Sequence, residues 1–377
     1  MIVIQDKYYC CGCGACVQSC PNHCVKLFED AEGFLYPQVD ETKCVSCNIC
    51  EIVCPYSLEN KGHKPIADYA LINKDDAIRA KSSSGGVFYS IAKAVISQNG
   101  AVFGASFDKN LEVCHNYGEN ENDILKFLSS KYVQSRIESS YIYAESFLKE
   151  GRYVLFSGTP CQIAGLRSFL KKDYDNLYTV DIICHGVPSP MVWRKYLSEI
   201  ATKSNVAAIS FRDKSRGWSR FGLCFKAENG KNLYNEDHHQ DPYMQLFLRN
   251  VILRPSCYKC NFRCGKSGSD ITIADFWGIQ EILPDYNDDK GVSFVLINTE
   301  RGRELLNKED FISKEICHDD VIHFNKAWYQ SYSIPENRNI FFRKIKRKSV
   351  HRIYRELYEP ERLLKNRIKR KILNLCR

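Results

Sequence analysis

Cys10-Cys-Gly-Cys-Gly-Ala-Cys-Val-Gln-Ser-Cys-Pro21 and Cys44-Val-Ser-Cys-Asn-Ile-Cys-Glu-Ile-Val-Cys-Pro55 decide how this chain is read. Both follow C-x2-C-x2-C-x3-C-P. Each iron of a [4Fe–4S] cubane takes one thiolate from the protein. Three cysteines two residues apart wrap one cubane, and the fourth, followed by proline, ligates the other cluster of the pair. The spacing assigns Cys10, Cys13, Cys16 and Cys54 to one cluster, and Cys44, Cys47, Cys50 and Cys20 to a second. A mononuclear zinc site would use two C-x2-C pairs and leave a third cysteine idle; eight cysteines and two prolines in register speak against it. Cys11 and Cys24 are surplus to the motifs and read as packing residues, since a free cysteine behaves as a small apolar side chain. A cluster pair moves electrons one at a time, so the expected partner is a ferredoxin or another one-electron carrier.

The rest of the composition is that of a globular protein of two or three domains: 377 residues, 44% hydrophobic and 26% charged. Nineteen cysteines would suggest disulfides in a secreted chain. The opening Met1-Ile-Val-Ile-Gln-Asp-Lys7 lacks a basic start with an apolar stretch, and the cysteines are clustered, which points to metal or redox chemistry in the cytoplasm. No apolar run approaches the ~20 residues of a membrane span. Charge is uneven: residues 341–377 hold fourteen Lys or Arg against three Glu, a net +11, which leaves the other residues at −3 in a chain of net +8. Leu364, Ile368, Ile372 and Leu375 fall on one helical face between Lys365, Arg367, Lys369, Arg370 and Lys371. Such a basic amphipathic helix suits an anionic membrane surface, here the inner face, or an acidic face of a protein partner. With basicity confined to the tail, no nucleic acid is expected.

Three parts follow. Residues 1–60 form an α+β ferredoxin-like dicluster domain, Asn60-Lys-Gly-His-Lys-Pro65 a linker, 68–335 an α/β core, and 336–377 a basic, amphipathic helical tail. In the core, Phe88, Ile91, Ala92, Val95 and Ile96 give one apolar helical face after Ser82-Ser-Ser-Gly-Gly86. Ala101–Ala105, Tyr153–Phe156 and Leu177–Cys184 read as strands, and Pro160 opens a helix from Cys161 to Leu170. There is no G-x-G-x-x-G, so a Rossmann dinucleotide site is not indicated. Ser83, Ser84, Gly85 and Gly86 read either as an ordinary helix cap or as a phosphate cradle, with Lys131 adding charge. His185 reads as a proton donor or a hydrogen-bonding neighbour of Cys184. Lys214, Arg216 and Trp218 read as flanks of an anionic site or as a solvated turn, and His238-His239 as surface.

Ser83-Ser-Gly-Gly-Val-Phe88, Ser130-Lys-Tyr-Val-Gln-Ser135, Leu155-Phe-Ser-Gly-Thr-Pro-Cys-Gln162, Cys184-His-Gly-Val-Pro-Ser189, Arg254-Pro-Ser-Cys-Tyr-Lys-Cys260, Ser269-Asp-Ile-Thr272 and Asp275-Phe-Trp-Gly278 together resemble the coenzyme F420 hydrogenase/dehydrogenase beta-subunit family, whose core is shared with 7-hydroxymethyl chlorophyll a reductase. The resemblance runs over about residues 5–335, with Ser129 where relatives often carry glycine. It implies an α/β core that binds FAD, with Ser83, Ser84, Gly85, Gly86, Lys131, Tyr132, Ser135, Gly158 and Thr159 as cofactor-binding candidates. It also implies a third [4Fe–4S] cluster on Cys161, Cys184, Cys257 and Cys260. Zinc on Cys257, Cys260, Cys264 and one distant residue is the rival reading of those cysteines. The implied function is an iron–sulfur flavin oxidoreductase acting on a small-molecule acceptor, F420-like or a sugar-linked intermediate of surface-polysaccharide synthesis. The alternative is a non-catalytic electron-transfer subunit of a larger complex.

Overall fold

The computed structural model describes residues 1–59, 61–201 and 205–359. The head contains one antiparallel hairpin, β1 (Val25–Glu29) and β2 (Leu35–Val39), and two single-turn helices, Ala15–Gln18 and Ile49–Ile52, one inside each cysteine motif. The core strands are β3 (Ala67–Asn73), β4 (Ala101–Phe107), β5 (Val113–Gly118), β6 (Val154–Gly158) and β7 (Leu177–Ile182), then β8 (Ala208–Asp213), β9 (Gly222–Lys226) and β10 (Asn232–Asp237), and finally β11 (Ile271–Asp275), β12 (Ser293–Ile297) and β13 (Phe311–Ile316). Eight of them form one mixed sheet in the order β13-β3-β12-β11-β7-β6-β4-β5; β8, β9 and β10 form a separate antiparallel sheet.

Within the large sheet β11, β7, β6 and β4 run parallel, and both flanks are antiparallel. Parallel strands are covered on both faces and so are built from continuous apolar runs. Ala101-Val-Phe and Val154-Leu-Phe are accordingly fully buried. Helices Val87–Ile96 and Pro160–Leu170 form where the sequence places them. The first buries Val87, Ile91, Ala92 and Val95 and leaves Phe88 partly open. Ligands of open α/β sheets gather at the carboxyl ends of the parallel strands, and here those ends carry Ala105, Ser157-Gly158, Ile182 and Asp275.

Two sets of contacts join the parts of the chain. Residues 337–358 are helical and pack on the rest of the chain. Helices Asn337–Lys344 and Val350–Tyr358 bury Phe341, Phe342, Ile345, Val350 and Ile353 in the same cluster as Trp193, Tyr243 and the head residues Cys10, Phe34 and Tyr36. Arg338 pairs with Glu32 of the head, and Glu199 accepts from the Val350 N–H at 2.6 Å. Apolar burial dominates here because the basic side chains can extend outward while the aromatic stripe turns in. The head, for its part, shares this cluster with the core. The apolar stripe Leu364–Leu375 lies outside the described residues. Among the described residues no helix is long and apolar enough to cross a membrane.

A chain ending after Asn339 loses six buried hydrophobic side chains, Tyr354 with the five named above. Each is worth roughly 2–5 kcal/mol by large-to-small precedent, against a total stability of about 5–15 kcal/mol. We expect that truncation to abolish the cooperative thermal transition seen by circular dichroism, and Phe341→Ala to lower stability by about 3–5 kcal/mol. A normal melt for the truncated chain would refute this packing.

Candidate redox site

The two cysteine loops trace the same path. Gly12 and Gly14 take positive φ (71° and 75°), and the equivalent positions Ser46 and Asn48 do the same (53° and 58°). A left-handed residue at these two places turns the loop so that successive cysteines point to one centre. The result is two voids. One, of about 370 Å³, is lined by Cys10, Cys13, Cys16 and Cys54. The other, of about 340 Å³, is lined by Cys20, Cys44, Cys47 and Cys50. This is the partition that the motif spacing assigns, with the fourth cysteine of each motif crossing to the other loop, and the donor set fits two cubanes. Cys47 is exposed, whereas Cys10, Cys13 and Cys16 are buried. The second void therefore faces solvent and the first faces the core. Cys11 and Cys24 are both buried, and each lines one of these voids rather than packing apart from them. Cys24 Sγ lies 3.3 Å from Cys20 Sγ.

The head meets the core at the helix Pro160–Leu170. A side chain at Gly165 would start 2.7 Å from Cys13 Cβ and 3.0 Å from Cys13 Sγ. Glycine there lets the inner cysteine loop lie directly on the helix whose first turn carries Cys161. Cys184 follows β7, and Cys257 lies in the short helix Pro255–Lys259 with Cys260 just after it. Their sulfurs are near enough to act on one another's charge, and Cys161 also hydrogen-bonds with Cys11 of the head. Burial first, and then the charge of Cys257, Cys161 and Cys260, push the Cys184 thiol well up. Burial likewise raises Cys257 to about 12, with Cys260 and Cys161 adding to it. Buried thiols that repel one another in this way are stabilised by a shared cation or cluster. Cys264 instead directs its Sγ toward the Trp328 carbonyl, 3.5 Å away. Tetrahedral zinc would draw sulfurs to within roughly 4 Å of one another; among the described residues no three cysteine sulfurs lie within 4.8 Å.

Cys184 also lines a cleft of about 1690 Å³ including its mouth, at the carboxyl ends of β4, β6, β7 and β11. Ser83, Ser84, Gly86, Lys131, Tyr132, Ser135, Gly158, Thr159 and His185 all line it. Gly86 has φ +86° and caps the helix Val87–Ile96 without a side-chain bond, so the first helical N–H groups stay free for an anion. Ser130 N–H donates to Ser83 Oγ at 2.7 Å, which stitches the two loops together. Ser129 has φ +65°, a left-handed conformation that glycine adopts without strain. Ser129 Oγ and Arg212 Nε are buried without partners. A cleft lined by hydroxyls and free helix N–H groups, with the Arg212–Asp275 pair in its wall, could hold a dinucleotide through its phosphates.

Several residues have other work than expected. Gly85 is outside the cleft; a Cβ there would collide with the Leu71 carbonyl and lie 2.7 Å from Ser293 N, so its small size serves packing on β3. Lys131 Nζ donates to the carbonyls of Lys126, Leu128 and Ser129 at 2.8–3.2 Å, and burial lowers it to about 7. Lys214 lies behind the serine loop, with Nζ 2.7 Å from the Arg79 carbonyl and 2.8 Å from that of Lys290. Arg216 binds Asn235 on β10, away from the cleft. Trp218 is buried and stacks on Trp277 at 5.0 Å, and it is Trp277 that reaches the cleft. His238 is buried on Phe221 at 4.0 Å rather than at the surface. His185 packs between Tyr332 and Phe247, and burial lowers it to about 4.

Sequence reasoning missed two cleft residues. Arg212 pairs with Asp275 at 3.1 Å, lies 3.9 Å over Phe221 and donates to the Ser83 carbonyl at 3.2 Å. His115, on β5, is fixed in one tautomer by a closed chain. Gln162 Nε2 donates to Ser135 Oγ at 2.9 Å, Ser135 Oγ–H donates to His115 Nδ1 at 2.9 Å, and His115 Nε2–H donates to the Ser157 carbonyl at 3.0 Å. Neither residue sits in a motif; only the strand order brings them to the cleft.

Residues 151–321 match the C-terminal part of the family "Coenzyme F420 hydrogenase/dehydrogenase, beta subunit", and residues 9–58 match the 4Fe-4S dicluster domain. The coenzyme F420-dependent sulfite reductase of Methanocaldococcus jannaschii is 26% identical over 317 residues, which cover 81% of this chain and 46% of that protein; the chain thus spans less than half of its relative's length. A structure of the F420-reducing [NiFe] hydrogenase complex from Methanosarcina barkeri is similar with a TM-score of 0.49 and 16% identity, over 72% of this chain and 90% of that one. The chain is an iron–sulfur protein of an oxidoreductase class. Its residues 151–321 carry the C-terminal domain of the coenzyme F420 hydrogenase/dehydrogenase beta subunit.

Burial holds His115 neutral and lowers it to about 4. The unfolded chain takes up that proton near pH 6.5. The stabilisation from neutral His115 is therefore complete above pH 6.5 and is lost as pH falls toward 4, a span worth roughly 3 kcal/mol. His115→Asn should flatten unfolding free energy against pH in this window relative to the parent. Parallel curves for the two proteins would remove His115 from the cause.

Proposed function

We propose that the chain is an iron–sulfur flavoprotein oxidoreductase of the cytoplasm. Electrons pass between an external one-electron carrier and FAD in the cleft, through the two head clusters and a third [4Fe–4S] cluster on Cys161, Cys184, Cys257 and Cys260. The observation that carries this reading is the order of the cysteines in space. Exposed Cys47 belongs to the outer void, the inner loop lies on the helix of Cys161 through Gly165, and Cys184 is in the wall of the cleft. FAD bound there would supply the conversion between one-electron and hydride transfer.

The chain's own residues have separable tasks in this scheme. The free N–H groups after Gly86 would hold a pyrophosphate, beside the Ser83–Ser130 pair; Ser84 Oγ donates to the Val292 carbonyl at 2.6 Å and keeps the loop in place. Arg212 places a fixed positive charge over the cleft. Phe88, Tyr132 and Phe247 wall off water. The Gln162–Ser135–His115 chain keeps the floor rigid. Tyr132, Gly158 and Thr159 border the remaining space. The substrate is an F420-like deazaflavin, in keeping with the family and with the name of the M. jannaschii relative, or a sugar-linked intermediate of surface-polysaccharide synthesis. That the chain spans 46% of its relative favours a second reading, a non-catalytic electron-transfer subunit of a larger complex.

Anaerobically purified protein should contain about twelve irons, equal acid-labile sulfide and one FAD, as three cubanes require. About eight irons with one zinc would replace the third cluster by zinc. Cys161→Ser or Cys257→Ser should stop flavin reduction by reduced ferredoxin while the electron paramagnetic resonance (EPR) signals of the head clusters persist; unchanged flavin reduction in both variants defeats the relay. Oxidation of F420H2 or reduced ferredoxin by the isolated chain with a small acceptor separates the enzyme from the non-catalytic relay.

A further inference from the structure

Five arginines are buried among the described residues: Arg79, Arg212, Arg254, Arg263 and Arg338. Three of them pair with carboxylates, Arg79 with Asp288, Arg212 with Asp275 and Arg338 with Glu32. Arg254 and Arg263 hydrogen-bond only to carbonyl, amide, hydroxyl or sulfur atoms. Both lie against the proposed cluster ligands. Arg263 donates to the Cys184 carbonyl at 3.1 Å. A buried cation without an anion is costly, so the place where carboxylates are missing says where another negative charge belongs.

Arg254 is the more constrained of the two, with no exposed surface at all. Its Nε donates to the Cys10 carbonyl at 2.8 Å, Nη1 to Gln134 Oε1 at 3.0 Å and Nη2 to the Leu35 carbonyl at 2.9 Å. Nη2 also lies 3.6 Å from Cys10 Sγ, within reach of an N–H···S bond. The Tyr36 ring lies 4.3 Å from the guanidinium carbon. A Cβ on Gly12 would fall 2.8 Å from Nη1, so the first cysteine loop is shaped around this side chain. Three residues further along the chain stands Cys257 of the core set.

We propose that Arg254 is the counter-ion of the inner head cluster, the one held by Cys10, Cys13, Cys16 and Cys54, and sets its reduction potential. This rests on the reading that the head holds two cubanes. Cluster potentials follow net charge and hydrogen bonds to sulfur. The step concerned is one-electron transfer: the inner cluster gains the electron that its donor loses, and no bond is made or broken. A fixed positive charge and an N–H···S bond both favour the reduced form. Arg254 is thus a positioning and tuning residue that holds the electron at the cluster next to the core.

The test is an anaerobic redox titration of the full chain, followed by EPR. In Arg254→Met the reduced-to-oxidised ratio of one head cluster at fixed solution potential should fall at least tenfold, 59 mV for a one-electron couple. The other head cluster should hold its value, and Arg254→Lys, which keeps the charge, should restore most of the ratio. An unmoved titration with clusters retained overturns the proposal, as does a Lys variant shifted as far as the Met variant. If Arg254→Met loses its iron, parent protein labelled with 15N-arginine supplies the second reading. Pulsed EPR of the reduced state should show an arginine nitrogen coupled to one head cluster, and its absence overturns the proposal. Iron and sulfide analysis of the parent keeps the two failures apart: a parent without clusters refutes the reading of the head, not the role of Arg254 alone.

Discussion

No side chain fits between the inner cysteine loop and the helix Pro160–Leu170. Gly165 is the residue that allows the approach: any Cβ there would meet both Cβ and Sγ of Cys13, and also the Tyr141 hydroxyl at 2.8 Å. One turn earlier on the same helix stands Cys161, and at its start Thr159 N–H donates to Gln162 Oε1 at 2.9 Å. A single close helix–loop contact therefore joins the head, the core cysteines and the hydrogen-bond chain of the cleft floor. Rigid packing of this density does not slide. The spacing between the cysteine groups is set by the fold and not by a flexible linker.

The same economy appears where the motifs carry structure rather than chemistry. Ser269-Asp-Ile-Thr272 is a buried latch under the sheet: Thr272 Oγ1 donates to Asp181 Oδ1 at 2.6 Å, Ser267 Oγ to Asp181 Oδ2 at 2.6 Å, and Thr179 Oγ1 to Asp270 Oδ2 at 2.7 Å. Burial raises Asp181 to about 6 despite these donors. Hydroxyls that satisfy a buried carboxylate fix the register of β7 against β11, and thereby the height at which Cys184 leaves the sheet.

The cysteine motifs, the parallel strands and the helix after Pro160 were legible because each is a local pattern: fixed spacing, continuous apolar runs, proline at a first turn. The partition of eight cysteines between two voids was legible for the same reason. What escaped was set by tertiary contact. Gly85 looks like a phosphate glycine, and its constraint is the Leu71 carbonyl across the sheet. Lys214 and Arg216 look like an anion site, but their partners are backbone carbonyls and Asn235, which no spacing reveals. His115 and Arg212 come to the cleft through strand order alone. The basic run from 341 hides an apolar stripe, Phe341, Phe342 and Ile345, whose burial depends on partners far away in the sequence.

The packing of residues 337–358 against Cys10, Phe34 and Tyr36 has a consequence for how the molecule is made. The head leaves the ribosome long before the helices that complete its surface, so this core has long sequence separations to close and closes late. Until Ile353 emerges, the surface that covers Cys10, Phe34 and Tyr36 is incomplete, so the head reaches its final burial only when the helices Asn337–Lys344 and Val350–Tyr358 are in place.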